Sequence, residues 1–274
     1  MWRIGSGVTR WLGSQYRPNH QRIEIDITYA CNLGCHSCNR SVSQAPADQM
    51  TLEQIRHFIH QSIQQKRKWE RIRLLRGEPT VHTQILEILR ELLEYKRHHS
   101  PRTIVEIATN GYGKKVNDML ARMPEGVVIV NTFKTSVVQE HFVTFNVAPA
   151  DLDEYEGVDY TNGCEVPEVA GIGLTKYGFY PCAVAGGIDR IYGLNLGRQS
   201  IPDKGDQMKD ELRQLCRFCG HFKRGDHVIG DPQQMSATWR KGYADYQRKK
   251  PVLPVFESVT NEERVAEPLN EGPG

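Results

Sequence analysis

Hydrophobic and charged residues alternate in the stretch RIEIDIT, residues 22–28. Ile23, Ile25 and Ile27 occupy every second position, and a charged residue stands between each pair of them. A period of two is typical of a β-strand with one apolar face. We therefore expect this stretch to form the first strand of the fold.

A different period follows in TLEQIRHFIHQSIQQ, which begins at Thr51. Leu52, Ile55 and Ile59 recur at the spacing of one face of an α-helix. Thr51 and Gln54 have the residue types and the spacing of a capping box, in which each side chain binds the backbone amide of the other residue. The pattern predicts an amphipathic helix that begins directly after Thr51.

The strand and helix periods alternate along the first half of the chain. Further strands are predicted at RIRLL, TIVEIATNG, GVVIVN and HFVTFNV, and further helices at QILEILRELLEYKRH and KKVNDMLARM. This order is typical of parallel βαβ units in an α/β fold. Such units carry their chemistry on the loops that follow the carboxyl ends of the strands. Three unusual loops occur at those places, namely a cysteine-rich loop, RGEPT and TNG.

The composition changes near residue 150, where glycine becomes frequent and the apolar segments become short. The stretch LTKYGFYPC predicts a hairpin that turns near residues 176–178. We divide the chain into a lead-in (1–20), a core domain (21–150), a smaller C-terminal extension (151–240) and a tail (241–274). The lead-in is expected to pack loosely, with an amphipathic segment as the alternative. The tail is rich in Pro, Glu and Asn, so we expect part of it to be disordered.

The composition restricts the class of protein. The chain has 274 residues, a formal net charge of +2 and 39% hydrophobic residues, which suits one sizeable core with a small appendage. The near-neutral charge argues against a nucleic-acid surface, and the absence of a long apolar run argues against a membrane span. Seven cysteines without a signal peptide indicate a reducing compartment such as the cytoplasm, where thiols bind metal.

The seven cysteines fall into one group of three and one group of four. The first group stands in the loop after the first strand, and the full set is Cys31, Cys35, Cys38, Cys164, Cys182, Cys216 and Cys219. A structural zinc site requires four ligands, which the first group reaches only if His36 joins it. Three cysteines on a 4Fe–4S cluster leave one iron open to a substrate or cofactor. A zinc site, free thiols and a cluster are the alternatives for this group.

These residues resemble a known family. CNLGCHSC after a strand is similar to the cluster loop of the radical S-adenosylmethionine (SAM) enzymes, and RGEPTVH resembles their Gly-Gly-Glu-Pro segment. TNG resembles the segment near the SAM ribose, and VVIVN the strand that lines the adenine. The resemblance covers about residues 20 to 150 and implies a partial (βα)6 barrel of the radical SAM type. It also implies that SAM contacts Gly77, Glu78, Pro79, Thr109 and Asn110.

The sequence departs from the family pattern at two places. Arg76 stands where the family has the first Gly of the Gly-Gly-Glu-Pro segment, and Ser37 stands where it has an aromatic residue before the last Cys. From the residues alone, Glu78 could instead be a carboxylate at a helix terminus, and Asn110 could belong to an ordinary Asn-Gly turn.

The second group of cysteines resembles the SPASM or twitch extension of radical SAM enzymes. GFYPCAVAGGIDRIYG followed by LCRFCG carries this resemblance, and no cysteine follows Cys219, as in the shorter twitch form. The extension is expected to be a small hairpin and helix unit. The resemblance implies that Cys164, Cys182, Cys216 and Cys219 bind an auxiliary 4Fe–4S cluster, with zinc as the alternative ligand.

The implied activity is that of a radical SAM oxidoreductase in natural-product or cofactor biosynthesis. SAM is cleaved reductively to a 5′-deoxyadenosyl radical, which removes a hydrogen atom from the substrate, and the auxiliary cluster then accepts an electron. A redox-neutral reaction would require a hydrogen donor, for which Tyr29, Tyr177 and Tyr180 are candidates. The catalytic residues themselves are not identified by the sequence.

The expected partners are a substrate and a flavodoxin- or ferredoxin-type electron donor. About twenty residues precede the first strand, too few for a leader-binding module, which favours a small-molecule substrate over a peptide. A peptide-modifying maturase, which cross-links or epimerises, and a non-catalytic zinc-binding protein are the alternatives. Asp189, Arg190 and Tyr192 either contact substrate or close a turn through an ion pair. Glu24 and Asp26 face either the barrel interior or a polar flank.

Overall fold

Six β-strands form a single sheet in the part of the chain that the computed structural model describes, residues 4–42, 48–138, 145–162, 164–222 and 234–256. The strands are β1 (Arg22–Thr28), β2 (Arg71–Arg76), β3 (Ile104–Thr109), β4 (Val127–Asn131), β5 (Ile172–Thr175) and β6 (Gly178–Tyr180). Their order across the sheet is β4-β3-β2-β1-β5-β6.

Five of these strands are parallel, as the alternation of strands and helices predicted. β1 pairs with β2 on one side and with β5 on the other, and β3 and β4 continue the sheet beyond β2. Only β6 runs antiparallel, as the second strand of the predicted hairpin. The mixed α/β sheet is consistent with a partial radical SAM barrel, so the predicted fold class is confirmed.

The helices are α1 (Ser6–Leu12), α2 (Leu52–Gln64), α3 (Ile85–His99), α4 (Lys114–Leu120), α5 (Val166–Val169), α6 (Ala183–Tyr192), α7 (Lys209–Leu215) and α8 (Ala237–Arg248). The predicted capping box of α2 is present. Gln54 N donates to Thr51 Oγ1 at 3.1 Å, and Thr51 N donates to Gln54 Oε1 at 3.0 Å. The helix therefore begins where the sequence indicated. Within the described residues, no helix combines the length and apolarity needed to cross a membrane.

The two faces of β1 have different roles. Ile23, Ile25 and Ile27 are fully buried in the main core, which also contains side chains of α2 and α3. Glu24 and Asp26 point to the opposite face, where they are also buried, at 5% and 0% exposure. We call this second face the inner face. Because both side chains are buried there, Glu24 and Asp26 face the interior and not a polar flank, the other alternative that the sequence left open.

The region predicted as a separate extension shares the core sheet. β5 and β6 lie beyond residue 151 in the sequence, yet β5 is hydrogen-bonded in register with β1. α8 crosses the predicted boundary at residue 240. Of the predicted strand HFVTFNV, residues 141–144 lie outside the described residues, and residues 145–147 have no regular structure. Tail residues 257–274 also lie outside the described residues.

The lead-in is packed against the rest of the chain. It contains α1, and Ile4 before that helix is 5% exposed and contacts Tyr155 and Phe222. Thr9 of α1 accepts a 2.9 Å hydrogen bond from the side chain of Asn162. These contacts fix the start of the described chain to the region that carries the second group of cysteines.

Candidate functional site

The first three cysteines lie at the carboxyl end of β1 and share one cavity. Cys31, Cys35 and Cys38 are each partly buried, and all three line a cavity of about 340 Å³. Parallel strands place their C-terminal loops at one edge of the sheet. This explains why segments at the ends of four different strands, β1 to β4, contribute to the wall.

The RGEPT segment lies in contact with the backbone of the cysteine loop. Glu78 N donates a 2.8 Å hydrogen bond to the carbonyl of Ala30. A Cβ atom on Gly77 would lie only 1.9 Å from the same carbonyl oxygen and 3.1 Å from Cys31 Cβ. Only glycine permits this approach, because any side chain would overlap backbone atoms of the cysteine loop.

The Glu78 carboxylate joins this segment to the end of β3. Its Oε1 atom accepts hydrogen bonds from Thr80 N, Thr80 Oγ1 and Thr109 Oγ1, and its Oε2 atom accepts one from Asn110 N at 2.8 Å. The residue is fully buried. Glu78 therefore stabilises the contact between two loops, a role that the sequence pattern did not indicate.

Asn110 connects the TNG loop to the cysteine loop. Its Nδ2 atom donates to Asn32 Oδ1 at 2.8 Å and lies 3.9 Å from Cys31 Sγ. Its Oδ1 atom accepts from Tyr112 N at 2.7 Å, as expected for an Asn-Gly turn. The turn and the proximity to the cysteines thus occur together. Asn32 in turn donates to the Tyr112 carbonyl at 2.7 Å, and the sequence analysis did not identify it.

The predicted SAM contacts divide into two groups. Gly77, Thr109 and Asn110 line the cavity, whereas Glu78 and Pro79 are buried next to it. The contacts themselves stay predictions. The wall also contains residues that sequence reasoning missed, and these are Leu33, Asn39, Arg40, Val42, Leu75, Arg76, Ala108, Thr132 and Lys134. Several of them come directly after the cysteine motif or after a strand, which is the signal that could have identified them.

The environment of Cys31 disfavours a free thiolate. Burial is the main cause that raises the pKa of its thiol to about 11. The Leu33 amide opposes the rise, and the nearby charges of Cys38, Glu78 and Cys35 add to it. The Leu33 amide donates to Cys31 Sγ at 3.4 Å. A bound metal cation would favour the thiolate form of such a cysteine.

Arg76 has a backbone conformation that favours glycine, the residue that the family pattern contains at this position. Its φ is +109°, a region that residues with a side chain rarely adopt. Its fully buried guanidinium forms an ion pair with Asp26 and donates to the Arg40 carbonyl at 2.8 Å. Ser37, the second departure, also has a positive φ of +50° and is buried.

The four C-terminal cysteines also lie close together. Cys164 precedes α5, Cys182 caps the N-terminus of α6, and Cys216 and Cys219 follow α7. Burial raises the pKa of Cys216 far above its ordinary value, and the charges of the other three thiols raise it further. Cys164 and Cys216 line one small cavity, Cys182 and Cys219 belong to one buried cluster, and Cys219 N donates to the Cys216 carbonyl at 3.1 Å. The structure therefore brings together the four residues that the sequence had placed in one group.

Backbone amides surround these sulfur atoms. Val166 N donates to Cys164 Sγ at 3.5 Å. Burial raises the pKa of Cys182 to about 11, against the opposing influence of the nearby Ala185 and Val184 amides. Amide donors of this kind stabilise negative charge on sulfur, and hydrogen bonds to sulfur help to set the potentials of iron–sulfur clusters. Among the described residues, no three His, Cys, Asp or Glu side chains are arranged to hold a single metal ion.

The residues Asp189, Arg190 and Tyr192 lie in α6. Asp189 Oδ2 accepts hydrogen bonds from Tyr180 Oη at 2.8 Å and from Leu196 N at 2.9 Å. Of the two alternatives for these residues, the ion pair that closes a turn is wrong, because these residues are helical and Asp189 binds other donors. The Arg190 guanidinium lies 3.8 Å from the centre of the Tyr29 ring, and Tyr192 stacks on Phe218.

Comparison with known proteins agrees with this geometry. Residues 25–137 match the family described as the Radical SAM superfamily. The probable GTP 3',8-cyclase of Pyrococcus horikoshii is 33% identical to this chain over 73 residues, which is 27% of this chain. The matched segment spans only 23% of the length of that relative. Residues 25–137 of this chain therefore form a Radical SAM domain.

Proposed function

We propose that this protein is a radical SAM oxidoreductase with two 4Fe–4S clusters. In this proposal Cys31, Cys35 and Cys38 hold the first cluster, and its open iron binds SAM. The observation that supports the proposal most strongly is the meeting of three loops at one cavity. The cysteine loop, the GEP segment and the TN segment are joined there by the Glu78 carboxylate and by Asn110.

The donor set of the cavity suits the proposed groups. Three thiols line it, and Gly77 keeps its wall free of a side chain beside Cys31. Thr109 and Asn110 line the same wall, and each side-chain oxygen accepts one backbone N–H, from Gly111 and Tyr112. A second lone pair on each oxygen could accept a hydrogen bond from the amino or hydroxyl groups of SAM. Gly77, Thr109 and Asn110 would hold SAM directly, while Glu78 and Pro79 would hold the two loops in position.

The second cluster would be bound by Cys164, Cys182, Cys216 and Cys219. The proximity of the four thiols and the amides around them support this assignment. Since all of its irons would have protein ligands, we infer an electron-transfer role for it and no direct contact with substrate. Hydrogen bonds to the sulfurs and burial would set its potential.

The bound cofactors would supply a two-electron oxidation of the substrate. With these groups bound, one electron from a flavodoxin- or ferredoxin-type donor would allow reductive cleavage of SAM and removal of a hydrogen atom from the substrate. The substrate would then lose one electron to the second cluster and one proton to solvent. The protein's own part is to orient SAM and to exclude water from the cavity.

The positions of the three candidate tyrosines favour net oxidation over a redox-neutral reaction. A hydrogen donor must reach the substrate, but Tyr29, Tyr177 and Tyr180 do not line the cavity, and Tyr29 and Tyr180 are 1% and 0% exposed. The Tyr29 ring is instead enclosed between the guanidinium groups of Arg76 and Arg190, at 4.3 and 3.8 Å. Tyr29 and Tyr180 are therefore placed for a structural role.

The substrate is inferred separately from the cofactor chemistry. The name of the Pyrococcus horikoshii relative describes a reaction of GTP, but its match covers only 27% of this chain, so we do not assign GTP as the substrate. We propose a small molecule of natural-product or cofactor biosynthesis. A peptide substrate remains the alternative, and trapping the substrate in the purified protein would separate the two.

The decisive experiment is the iron and sulfide content after anaerobic reconstitution. Two clusters predict about eight irons per chain, and a non-catalytic zinc protein predicts none.

Cys35→Ala should abolish SAM cleavage, whereas the matched variant Cys216→Ala should retain some cleavage but block turnover of substrate. Equal SAM cleavage by Cys35→Ala and the unmodified protein would refute the role of the first loop.

A further inference from the structure

Residues 39–41, which directly follow Cys38, contact the C-terminal part of the chain. Asn39 Nδ2 lies 3.0 Å from His221 Nε2, and His221 is two residues from Cys219. Ser41 Oγ lies 2.9 Å from the Tyr243 hydroxyl. We call residues 39–41 the bridging segment, because it lies between the cavity and the region of the second cysteine group.

Arg40, at the centre of the bridging segment, is a buried cation on the cavity wall. It is 9% exposed, and its Nη2 atom donates to Glu24 Oε2 at 3.0 Å. Its Nη1 atom lies 3.9 Å from Asp26 Oδ2 and has no hydrogen-bond partner among the residues that the structure describes. Arg40 thus balances two buried carboxylates of the inner face.

Cys182 lies beside the same carboxylates. Glu24 of β1 is paired in register with Gly173 of β5. A Cβ atom on Gly173 would lie 2.5 Å from the carbonyl carbon of Cys182 and 2.3 Å from Ala183 N, so the start of α6 rests directly on this position. The strand register therefore places Cys182 next to Glu24 and, through Glu24, next to Arg40.

Arg40 therefore connects the two regions. It lines the cavity and donates to Glu24. Glu24 is paired with Gly173, on which the Cys182 backbone rests. The positive charge of Arg40 is thus placed close to a proposed ligand of the second cluster, where burial strengthens its effect.

We propose that Arg40 raises the reduction potential of the cluster held by the second cysteine group and so enables it to accept the electron from the substrate. This inference rests on the proposed function. Reduction adds one negative charge to the cluster, and a buried cation nearby stabilises that added charge. The substrate loses this electron together with a proton to solvent, and a flavodoxin- or ferredoxin-type carrier then removes the electron from the cluster.

The test measures the potential of the second cluster in isolation. In a full-length Cys31→Ala/Cys35→Ala/Cys38→Ala background, only the second cluster remains, and its midpoint potential is measured by a redox titration followed by electron paramagnetic resonance. Arg40→Met should lower the potential. Arg40→Lys keeps the charge, so its potential should stay close to that of the same background with Arg40 intact. A purely structural role of Arg40 would not produce this dependence on charge.

Arg73→Met is the matched control. Arg73 also pairs with Glu24, at 3.4 Å, but it lies in β2 and its other partner is Glu106. Its replacement should shift the potential by less than Arg40→Met does.

Since loss of Arg40 leaves buried carboxylates unbalanced, a second comparison uses Glu24→Gln with and without Arg40→Met. Arg40→Met should lower the potential there as well.

The outcomes separate the two proposals. If the triple-alanine background binds no iron, the second cluster is absent, and both the proposed function and this inference are wrong. If it binds about four irons, but Arg40→Met and Arg73→Met change the potential equally or not at all, only this inference is overturned. A selective drop in Arg40→Met that lysine largely restores supports it.

Discussion

The backbone amide of Asn110 donates a 2.8 Å hydrogen bond to Oε2 of Glu78, which lies 32 residues earlier in the sequence. Through this bond the loop after β2 and the loop after β3 form one wall of the cavity. The carboxylate has three further donors, from Thr80 N, Thr80 Oγ1 and Thr109 Oγ1. Four donors converge on one buried group, so its removal has consequences that do not require a bound cofactor.

Glu78→Ala should destabilise the protein without cofactors by about 3 kcal/mol, because several buried donors lose their acceptor at once. Glu78→Gln keeps one oxygen but places an amide group opposite a donor, so about 1–2 kcal/mol is expected. Urea unfolding of the apo protein measures both values. Thr80→Val, which removes only one of the four donors, is the control and should cost about 1 kcal/mol. A negligible loss in Glu78→Ala would contradict the observed network.

Gly77→Ala should destabilise the loop and lower the iron content after reconstitution. A Cβ atom at this position would lie 1.9 Å from the Ala30 carbonyl oxygen, so the backbone of the cysteine loop must move. Overpacking of this kind typically costs about 1–3 kcal/mol. Gly34→Ala is the matched control within the cysteine motif, since its Cβ would meet no protein atom within 4 Å. Equal thermal stability of the two variants would show that the approach at Gly77 is not tight.

Arg76→Gly should destabilise the protein, although it restores the residue of the family pattern. Glycine relieves backbone strain of about 1–3 kcal/mol at φ +109°. The change also leaves the fully buried Asp26 without its main ion-pair partner, and breaking such a pair costs about 3–5 kcal/mol.

We therefore expect a net loss of about 2 kcal/mol in Arg76→Gly, measured by urea unfolding. The double variant Arg76→Gly/Asp26→Asn should recover most of that loss, since the unpaired charge is gone. A single Arg76→Gly variant as stable as the unmodified protein would show that Arg40, 3.9 Å from Asp26, balances this carboxylate alone.

His82 should make the protein less stable in mild acid. Its Nδ1 atom accepts from Gln84 N at 3.0 Å, so Nε2 carries the proton that it donates to the Met50 carbonyl at 2.9 Å. Burial lowers the pKa of His82 below 6.5. The unfolded chain then binds a proton at a higher pH than the folded chain does, so stability falls as the pH decreases below 6.5.

The variant His82→Gln should show a weaker decrease in melting temperature between neutral pH and about pH 5 than the unmodified protein. The measurement is the melting temperature of the apo protein at a series of pH values. His36→Gln is a suitable control because His36 is only partly buried, whereas His82 is 2% exposed. If both variants followed the unmodified protein, the pH dependence would have another source.

Much of the local structure was predictable from residue patterns. The period of two in β1, the capping box of α2 and the first group of three cysteines depend on residues that are close in sequence. Their backbone preferences act locally, and the structure agrees with them at Ile25, Thr51 and Gln54. The expectation of unusual loops after the strands likewise followed from the general geometry of parallel sheets.

The partners of the buried charges were not predictable in this way. Arg76 adopts a glycine-like φ because its guanidinium finds Asp26, 50 residues earlier, and Glu78 binds donors from a different loop. Neither pairing leaves a period or a motif in the sequence. Each depends on which groups remain unsatisfied once the sheet is assembled, and that is a property of the whole fold.

The sequence by itself determined the chemistry that is available, namely three thiols, then four, with the GEP and TN segments after neighbouring strands. Only the tertiary structure decided that β5 pairs with β1, which brings Cys182 beside Glu24 and Arg40. The physical reason is that periodicity reports the backbone state of each segment, whereas strand pairing depends on burial and charge balance summed over distant segments.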